Sequence, residues 1–280
     1  MCRWLAYSGA PVLLDDLLYR PHHSLVLQSL HSDLGAEETN GDGFGLGWYD
    51  GHSPVPGLFR DIEPAWSDRN LHELAEHVRS ATVFAHVRAT SGSAVQQTNC
   101  HPFRHDRWLF MHNGGVAQFP RLRRDLQLAV DPDLFAQIEG TTDSETVFHL
   151  ALTFGLVDDP LAALAAAVGF VEEVAARHGV PDPFQGTMAV TDGERTWAVR
   201  YSSSGPARTL FRNADVSVLK EQYPDNPVLA DLSDDTRIVV SEPFGDLRGA
   251  WLEVPEATGI VIDGRDEELR PFVPLAPQPA

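Results

Sequence analysis

The sequence predicts an α+β fold, in which strands come first, helices follow and further strands complete the chain. Short apolar runs bounded by turn residues lie near both ends of the chain, whereas the apolar positions between them recur at helical spacing. No linker rich in proline or glycine divides the 280 residues, so we expect one core. Because the helices do not alternate with single strands, the order favours packed layers over βαβ units.

The composition argues against several classes of partner. The 40 acidic residues against 21 basic ones give a net charge of -19, which repels nucleic acid and anionic membrane surfaces. The N-terminus has no basic leader followed by an apolar stretch, and no window approaches the roughly 18 apolar residues of a membrane span. We therefore expect a soluble, cytoplasmic protein, and with only Cys2 and Cys100 we expect no disulfide framework.

Four strands are predicted in the first part of the chain: at residues 2–7, within residues 40–49 after a glycine-dense turn, at residues 82–87 and at residues 108–112. The first ends in the turn-forming residues that begin at Ser8. The second is so rich in glycine that we expect another part of the chain to pack close to it. The last two end at polar residues, which are Arg88 and Asn113 respectively.

Two helices are predicted next. Thr142 and Glu145 have the spacing of a capping box, which predicts a helix that runs to Gly155 and carries Asp143 in its first turn. Apolar residues then repeat every three or four positions up to His178, which predicts a second, buried helix. Later strands are predicted at residues 186–190, 196–201, 237–241, 251–254 and 259–262, before a proline-rich tail at residues 271–280.

Cys2 directly follows the initiator methionine, which is usually removed when the next side chain is small. A cysteine at a mature N-terminus carries its own base, because the α-amino group has an ordinary pKa of about 7.7–8.0 and can accept the thiol proton. Taken alone, however, a cysteine in a first strand is more often a small buried hydrophobic residue. The motifs that accompany Cys2 therefore decide its interpretation.

Five ordered motifs are Met1-Cys2-Arg3, Asn40-Gly41-Asp42-Gly43-Phe44-Gly45, His86-Val87-Arg88-Ala89-Thr90-Ser91-Gly92, Met111-His112-Asn113-Gly114 and Thr142-Asp143-Ser144-Glu145. Together they closely resemble the class II glutamine amidotransferases, a family of N-terminal-nucleophile hydrolases. Three segments resemble the stand-alone group of that family, which includes the ergothioneine-pathway γ-glutamyl hydrolase and the amidotransferase-like subunit of cytosolic glutathione degradation. These segments are Arg20-Pro21-His22-His23-Ser24, Asn99-Cys100-His101-Pro102-Phe103 and Phe110-Met111-His112-Asn113-Gly114-Gly115.

The resemblance implies a four-layer αββα sandwich over residues 2–270, ahead of the tail. It also implies that Cys2 cleaves the γ-glutamyl amide bond of glutamine or of a γ-glutamyl conjugate through a thioester, releasing glutamate, with the leaving amine near His22 and His101. Two alternatives remain open. The chain would then be a glutaminase subunit that supplies ammonia to a separate synthetase, or a non-catalytic subunit that binds γ-glutamyl groups for a partner hydrolase.

The resemblance places the amino-acid head of the substrate between two charges. Arg88 offers a planar fork of donors to the α-carboxylate, and Asp143 would pair with the α-ammonium. Thr90 and Ser91 would help to seat the carboxylate, although this sequence has one residue fewer between the arginine and the threonine than the larger amidotransferases have. Taken alone, Arg88 would be a surface ion pair and Asp143 a first-turn acid favoured by the helix dipole.

The resemblance assigns the oxyanion to the side-chain N–H of Asn113 and the backbone N–H of Gly114, whereas Asn-Gly taken alone predicts a hairpin turn. His86, His101 and His112 are expected to make supporting hydrogen bonds, not to act as bases. No histidine and carboxylate spacing typical of a metal site occurs, and the glycine-rich segment lacks the lysine of a phosphate loop. We therefore expect neither a metal ion nor a cofactor.

Overall fold

The structure, a computed structural model, describes residues 2–34, 39–90, 92–226, 229–230, 232–245 and 247–277. Within these ranges, thirteen strands form two antiparallel sheets that lie face to face, and helices cover the outer face of each sheet. The predicted α+β sandwich of four layers is therefore confirmed.

The strands of the described residues are β1 (Arg3–Leu13), β2 (Phe44–Trp48), β3 (Gly57–Asp61), β4 (Arg79–Val87), β5 (Phe103–His105), β6 (Trp108–Val116), β7 (Phe184–Thr191), β8 (Arg195–Ser202), β9 (Phe211–Asn213), β10 (Arg237–Val240), β11 (Trp251–Glu253), β12 (Thr258–Asp263) and β13 (Asp266–Pro271). The first sheet has the order β11-β9-β10-β1-β4-β2-β3, and the second has the order β13-β12-β8-β7-β6-β5. β1 thus lies between β10 and β4, which hold the segment after Cys2 on both sides.

The helices of the described residues are α1 (Leu14–Leu18), α2 (Leu25–Leu30), α3 (Arg69–His77), α4 (Phe119–Gln127), α5 (Pro132–Phe135), α6 (Asp143–Thr153), α7 (Pro160–Arg177) and α8 (Val216–Gln222). Apolar residues of α1, α2 and α3 pack on the outer face of the first sheet. Those of α4, α6 and α7 pack on the outer face of the second sheet. The two predicted helices correspond to α6 and α7, and Thr142 caps α6 by accepting a hydrogen bond from the Glu145 N–H.

Alternation along the strands sorts side chains into separate cores. Trp4 of β1 and Met111 of β6 lie in the core between the sheets, whereas the adjacent Leu5 and Phe110 lie in the outer cores. Cys2, two residues before Trp4, belongs to the same side of the chain. The alternation therefore directs Cys2 towards the second sheet.

Two strands are longer than the sequence predicts. β1 continues past the predicted turn because its pairing with β4 resumes after an irregularity between Ser8 and Val12. β6 runs straight through the predicted turn at Asn113, which lies opposite Thr187 of β7. The hairpin interpretation of Asn-Gly is therefore wrong, because pairing with a distant strand overrides the local turn signal.

The glycines of β2 allow other parts of the chain to approach its backbone, as the sequence predicts. A Cβ atom at Gly45 would lie 2.1 Å from the carbonyl oxygen of His101, and one at Gly47 would lie 2.6 Å from Leu109 Cδ1. Both neighbours come from outside the first sheet, since Leu109 belongs to β6. A larger side chain at Gly47 would push the two sheets apart, and one at Gly45 would displace the segment that carries His101.

Part of the proline-rich tail packs on α7. The Leu275 N–H donates a hydrogen bond to the Ala165 carbonyl at 3.2 Å, and Phe272 is buried in the outer core of the second sheet. Among the described helices, none combines the length and the apolar composition that crossing a bilayer requires.

Candidate active site

Cys2 lies at the start of β1, where Arg3 pairs with Val87 of β4. The thiol of Cys2 is partly exposed and lies 3.6 Å from the carbonyl oxygen of Ala89, the second residue after β4. Burial raises the pKa of this thiol above its ordinary value, although the positive charges of Arg88 and Arg3 act in the opposite direction. The thiol therefore stays protonated near pH 7 until a base removes its proton.

Arg88 follows β4 and is buried, with 3% of its surface exposed. Its guanidinium donates to the carbonyl of Asp42 at 3.2 Å, to Ser93 Oγ at 2.6 Å and to the carbonyl of Ala94 at 3.2 Å. Within the described residues, no carboxylate lies at ion-pair distance from it. A buried cation without a counter-ion is costly, so this arrangement suits the binding of an anionic ligand.

Asp143 begins α6, and its carboxylate lies beside the end of β6. One oxygen accepts a hydrogen bond from the Val116 N–H at 2.7 Å, and the other accepts one from the Ser144 N–H at 2.8 Å. The side chain is half-exposed, and no cation of the described residues pairs with it. Asp143 is therefore a fixed carboxylate that no cation of the described chain neutralises.

Asn99 connects the surroundings of Arg88 with those of Asp143. Its Nδ2 donates to the carbonyl of Ala94, which also accepts from Arg88, and its Oδ1 accepts from the Thr141 N–H at 2.8 Å. Thr141 lies two residues before Asp143. One buried amide therefore holds the loop of the buried cation against the segment that leads into the carboxylate.

Asn113 lies in β6 and is buried, yet its side-chain amide has no hydrogen-bond partner in the part of the chain that the structure describes. Thr187, directly opposite on β7, accepts a hydrogen bond from Trp4 Nε1 at 3.0 Å. Because Trp4 lies two residues after Cys2, this bond brings the start of β1 to the part of β6 that carries Asn113. At the next position, a Cβ atom on Gly114 would lie 2.0 Å from the carbonyl oxygen of Gln185, so only glycine fits there.

Thr90 holds the loop after Arg88 in place. Its backbone N–H donates to Asp42 Oδ2 at 2.8 Å, and its hydroxyl lies 2.9 Å from both oxygens of Ser93, the backbone carbonyl and Oγ. Thr90 thus acts on the partners of Arg88, and seating of a carboxylate by Thr90 stays a prediction. Ser91 lies outside the described residues.

The sequence of this site matches a known family. A profile of the glutamine amidotransferases class-II matches residues 20–202. The chain belongs to the class-II glutamine amidotransferases.

Two curated relatives are similar in sequence over most of its length. The probable glutamine amidotransferase DUG3 of Saccharomyces cerevisiae is 33% identical over 98% of this chain and 85% of the relative. The γ-glutamyl-hercynylcysteine sulfoxide hydrolase of Mycolicibacterium smegmatis is 31% identical over 84% of this chain and 93% of the relative.

A solved structure extends the similarity to the fold of the amidotransferase. The glutamine aminotransferase class-II domain protein of Silicibacter pomeroyi superimposes with a TM-score of 0.74 and is 33% identical. The match covers 98% of this chain and 100% of the other. Sequence and fold therefore agree over nearly the whole length of the chain.

Sequence reasoning missed three residues that support the candidate site. Asp42 and Asn99 belong to motifs that carry the family resemblance, but contacts that only the folded chain makes reveal their parts. Ser93 had no stronger signal than a turn-rich sequence after Arg88, whose guanidinium it contacts. All three hold the loop around the buried cation.

The buried histidines of the amidotransferase differ in their hydrogen bonding. His86 and His101 stack with ring centroids 4.2 Å apart, and their ring nitrogens have no partner among the described residues. Burial lowers the pKa of both rings, that of His86 to about 3. The predicted supporting hydrogen bonds are therefore absent from these two residues, and a buried His101 is not available to a leaving amine. His112 does make such a bond, to Ser144.

His22 is exposed and lines a cavity of about 920 Å³ that none of the predicted site residues lines. The cavity is bounded by apolar residues of α1, α8 and β10, on the helix-covered side of the first sheet. Because alternation directs Cys2 to the opposite side of β1, the expected contact of His22 with the leaving amine lacks support in the fold.

Glu242 holds the start of β1 through Arg3. This buried carboxylate accepts hydrogen bonds from Arg3 Nε at 2.6 Å, from His23, and from the backbone N–H groups of Asp33 and Leu34. Burial alone would raise the pKa of Glu242, but the bonds from His23, Asp33 and Arg3 outweigh burial and hold it below its usual value. His23, Asp33 and Glu242 lie close enough to share a cation, yet the Glu242 oxygens already accept four donors, so we assign no metal there.

Proposed function

We propose that the protein is an amidohydrolase that cleaves the γ-glutamyl amide bond, with Cys2 as its nucleophile. The observation that carries the proposal is a pair of charges without a counter-ion among the described residues: the buried guanidinium of Arg88 and the fixed carboxylate of Asp143. A zwitterionic amino-acid head needs one cation and one anion. Asn99 joins the surroundings of these two groups.

The proposed reaction begins after removal of Met1, when the free α-amino group of Cys2 accepts the thiol proton. The sulfur adds to the amide carbon, and the oxyanion accepts hydrogen bonds from the Asn113 side chain and the Gly114 backbone N–H. The α-ammonium then returns its proton to the leaving nitrogen as the C–N bond breaks. Water attacks the thioester, with the α-amino group taking its proton, and cleavage of the C–S bond releases glutamate.

Two features support this chemistry. The raised pKa of the Cys2 thiol suits a mechanism in which proton removal accompanies attack, since no standing thiolate is needed. The side-chain amide of Asn113 has donors without partners in the described chain, as an oxyanion site requires before its ligand binds.

We further propose a γ-glutamyl conjugate as the substrate, in preference to free glutamine. The support is the similarity, over 84% of this chain, to a protein named for hydrolysis of a γ-glutamyl sulfoxide conjugate. The rival is an ammonia donor that works with a separate synthetase. The similarity to a probable glutamine amidotransferase supports this alternative, so the experiment includes glutamine as a substrate.

The experiment gives purified protein glutamine, glutathione or a γ-glutamyl-cysteinyl thioether or sulfoxide, and measures released glutamate for each. We expect kcat/KM for at least one conjugate to exceed that for glutamine, and Cys2→Ala to abolish release while ligand binding remains measurable. A kcat/KM for glutamine far above every conjugate would favour the ammonia donor. No release from any of them would favour a non-catalytic binding subunit.

A further inference from the structure

His112 occupies a position between the two halves of the proposed site. It precedes Asn113 in β6, and alternation turns its ring to the outer face of the second sheet, beneath the start of α6. The ring is 1% exposed and stacks on Phe184 of β7, with centroids 5.4 Å apart and planes at 14°. Packing against β7 therefore fixes the ring, which belongs to the strand that carries the proposed oxyanion donors.

One edge of the ring lies against two glycines. A Cβ atom at Gly114 would lie 2.6 Å from His112 Nε2, and one at Gly186, directly opposite on β7, would lie 2.3 Å from it. Side chains at either position would displace the imidazole. The ring thus supports the backbone of Gly114, whose N–H is the proposed oxyanion donor.

The other edge of the ring faces Asp143. His112 Nδ1 lies 2.9 Å from Ser144 Oγ, and Ser144 holds Asp143 Oδ1 through its backbone N–H at 2.8 Å, with its hydroxyl 3.4 Å away. A carboxylate only accepts, so Ser144 can donate its hydroxyl proton to Asp143 while it accepts a hydrogen bond from His112 Nδ1. This arrangement uses the tautomer of His112 that carries its proton on Nδ1.

The protonation of the His112 ring is compatible with donation from Nδ1 to Ser144. Burial lowers the pKa of His112 to about 4, even though the charge of Asp143 acts to raise it. The imidazole is therefore neutral near pH 7, with one ring proton. His86 and His101 lack such partners in the described chain, so this connection belongs to His112 among the three histidines near the site.

We propose that His112 is a positioning residue that fixes the separation between Gly114 in β6 and the carboxylate of Asp143, so that both groups engage one substrate. This inference rests on the proposed function, because it takes its site assignments from there. His112 touches no reacting atom. Its effect is to hold two binding groups in one geometry, and small errors in such geometry reduce the rate of a reaction strongly.

The experiment compares His112→Phe, which keeps the shape of the ring without a donor, with His112→Asn, whose amide N–H can occupy the place of Nδ1. We expect His112→Phe to lower kcat by about 10-fold to 100-fold, since a displacement of about 1 Å can cost that much, and to weaken ligand binding in a Cys2→Ala background several-fold. His112→Asn should recover the ligand affinity. Ser144→Ala breaks the same connection, so it should also weaken binding and lower kcat.

His149→Phe serves as the matched control. His149 is a buried histidine of α6 whose Nδ1 lies 2.8 Å from the Glu145 carbonyl of the same helix. Its substitution should lower the melting temperature with kcat and KM unchanged. Should His112→Phe fail to fold, the Ser144→Ala result decides the connection to Asp143.

Unchanged kcat and ligand affinity in folded His112→Phe would overturn the inference. Equal losses of kcat and ligand affinity in His112→Phe and His112→Asn, in proportion to their falls in melting temperature, would also overturn it. A merely structural role predicts that pattern. Failure of the proposed function gives a different result, since Cys2→Ala would then keep the activity of the unsubstituted protein.

Discussion

The indole Nε1 of Trp4 donates a hydrogen bond to Thr187 Oγ1 over 3.0 Å, and this bond joins the two sheets beneath the proposed site. Trp4 lies two residues after Cys2, whereas Thr187 lies opposite Asn113. The bond therefore fixes the position of β1, which follows the proposed nucleophile, relative to β6, which carries the proposed oxyanion donors. Both partners are fully buried, so neither has water as a substitute.

Thr187→Val removes the acceptor at nearly constant volume and leaves the indole N–H unpaired. We expect a loss of stability of about 1–3 kcal/mol and a lower kcat, because the two strands can then shift against each other. Urea unfolding and steady-state kinetics measure the two effects. The matched control is Thr196→Val in β8, where a buried threonine makes no side-chain hydrogen bond within the described residues. An equal fall of kcat in both variants would contradict the prediction.

Asn113→Ala removes one of the two proposed oxyanion donors. We expect kcat to fall by about 10²–10³ with little change in KM, because the lost bond strengthens only as negative charge develops. Steady-state kinetics on the best conjugate provide the measurement. A kcat equal to that of the unsubstituted protein would remove Asn113 from the oxyanion site.

Arg88→Lys and Asp143→Asn change the groups proposed to hold the head of the substrate. Lysine keeps the charge but loses the planar fork of donors, and asparagine keeps the shape but loses the charge. We expect both to raise KM with a smaller effect on kcat, because these contacts persist from the bound substrate to the transition state. A fall in kcat at constant KM would show that the groups act on the chemical step.

The buried histidines predict how stability depends on pH. Burial holds the pKa of His86, His101 and His112 below the 6.5 of an exposed histidine, so the folded state excludes protons that the unfolded state binds. Stability is therefore complete above about pH 6.5 and falls with decreasing pH, by up to about 1.4 kcal/mol per pH unit for each histidine. Urea titrations between pH 6.5 and 5 measure the slope, and His86→Phe should reduce it. A flat profile in this window would contradict the account.

Much of the fold was predictable, because several elements follow from local sequence alone. The capping residues Thr142 and Glu145 define the start of α6, and apolar spacing defines α7. Local sequence signals gave the wrong structure where pairing with a distant strand determines the backbone conformation. Asn113 carries a turn signal, yet its pairing with Thr187 keeps β6 extended.

The candidate site was predictable in its charged and polar groups but not in their supports. Arg88 and Asp143 stand in recognisable motifs, whereas Ser93 and Asn99 support them through contacts between loops that are separate in sequence. The position of His112 between two glycines likewise needs the pairing of β6 with β7. Sequence patterns identify such residues only after the register is known.

Labelling with a glutamine-analogue electrophile, followed by peptide mass spectrometry, tests whether Cys2 is the nucleophile. We expect a mature chain that begins at Cys2, one adduct on that residue, and protection by a γ-glutamyl substrate. Cys100 should remain unlabelled, because it is buried and burial raises its pKa to about 11. An active protein that retains Met1, or labelling that spares Cys2, would contradict the account.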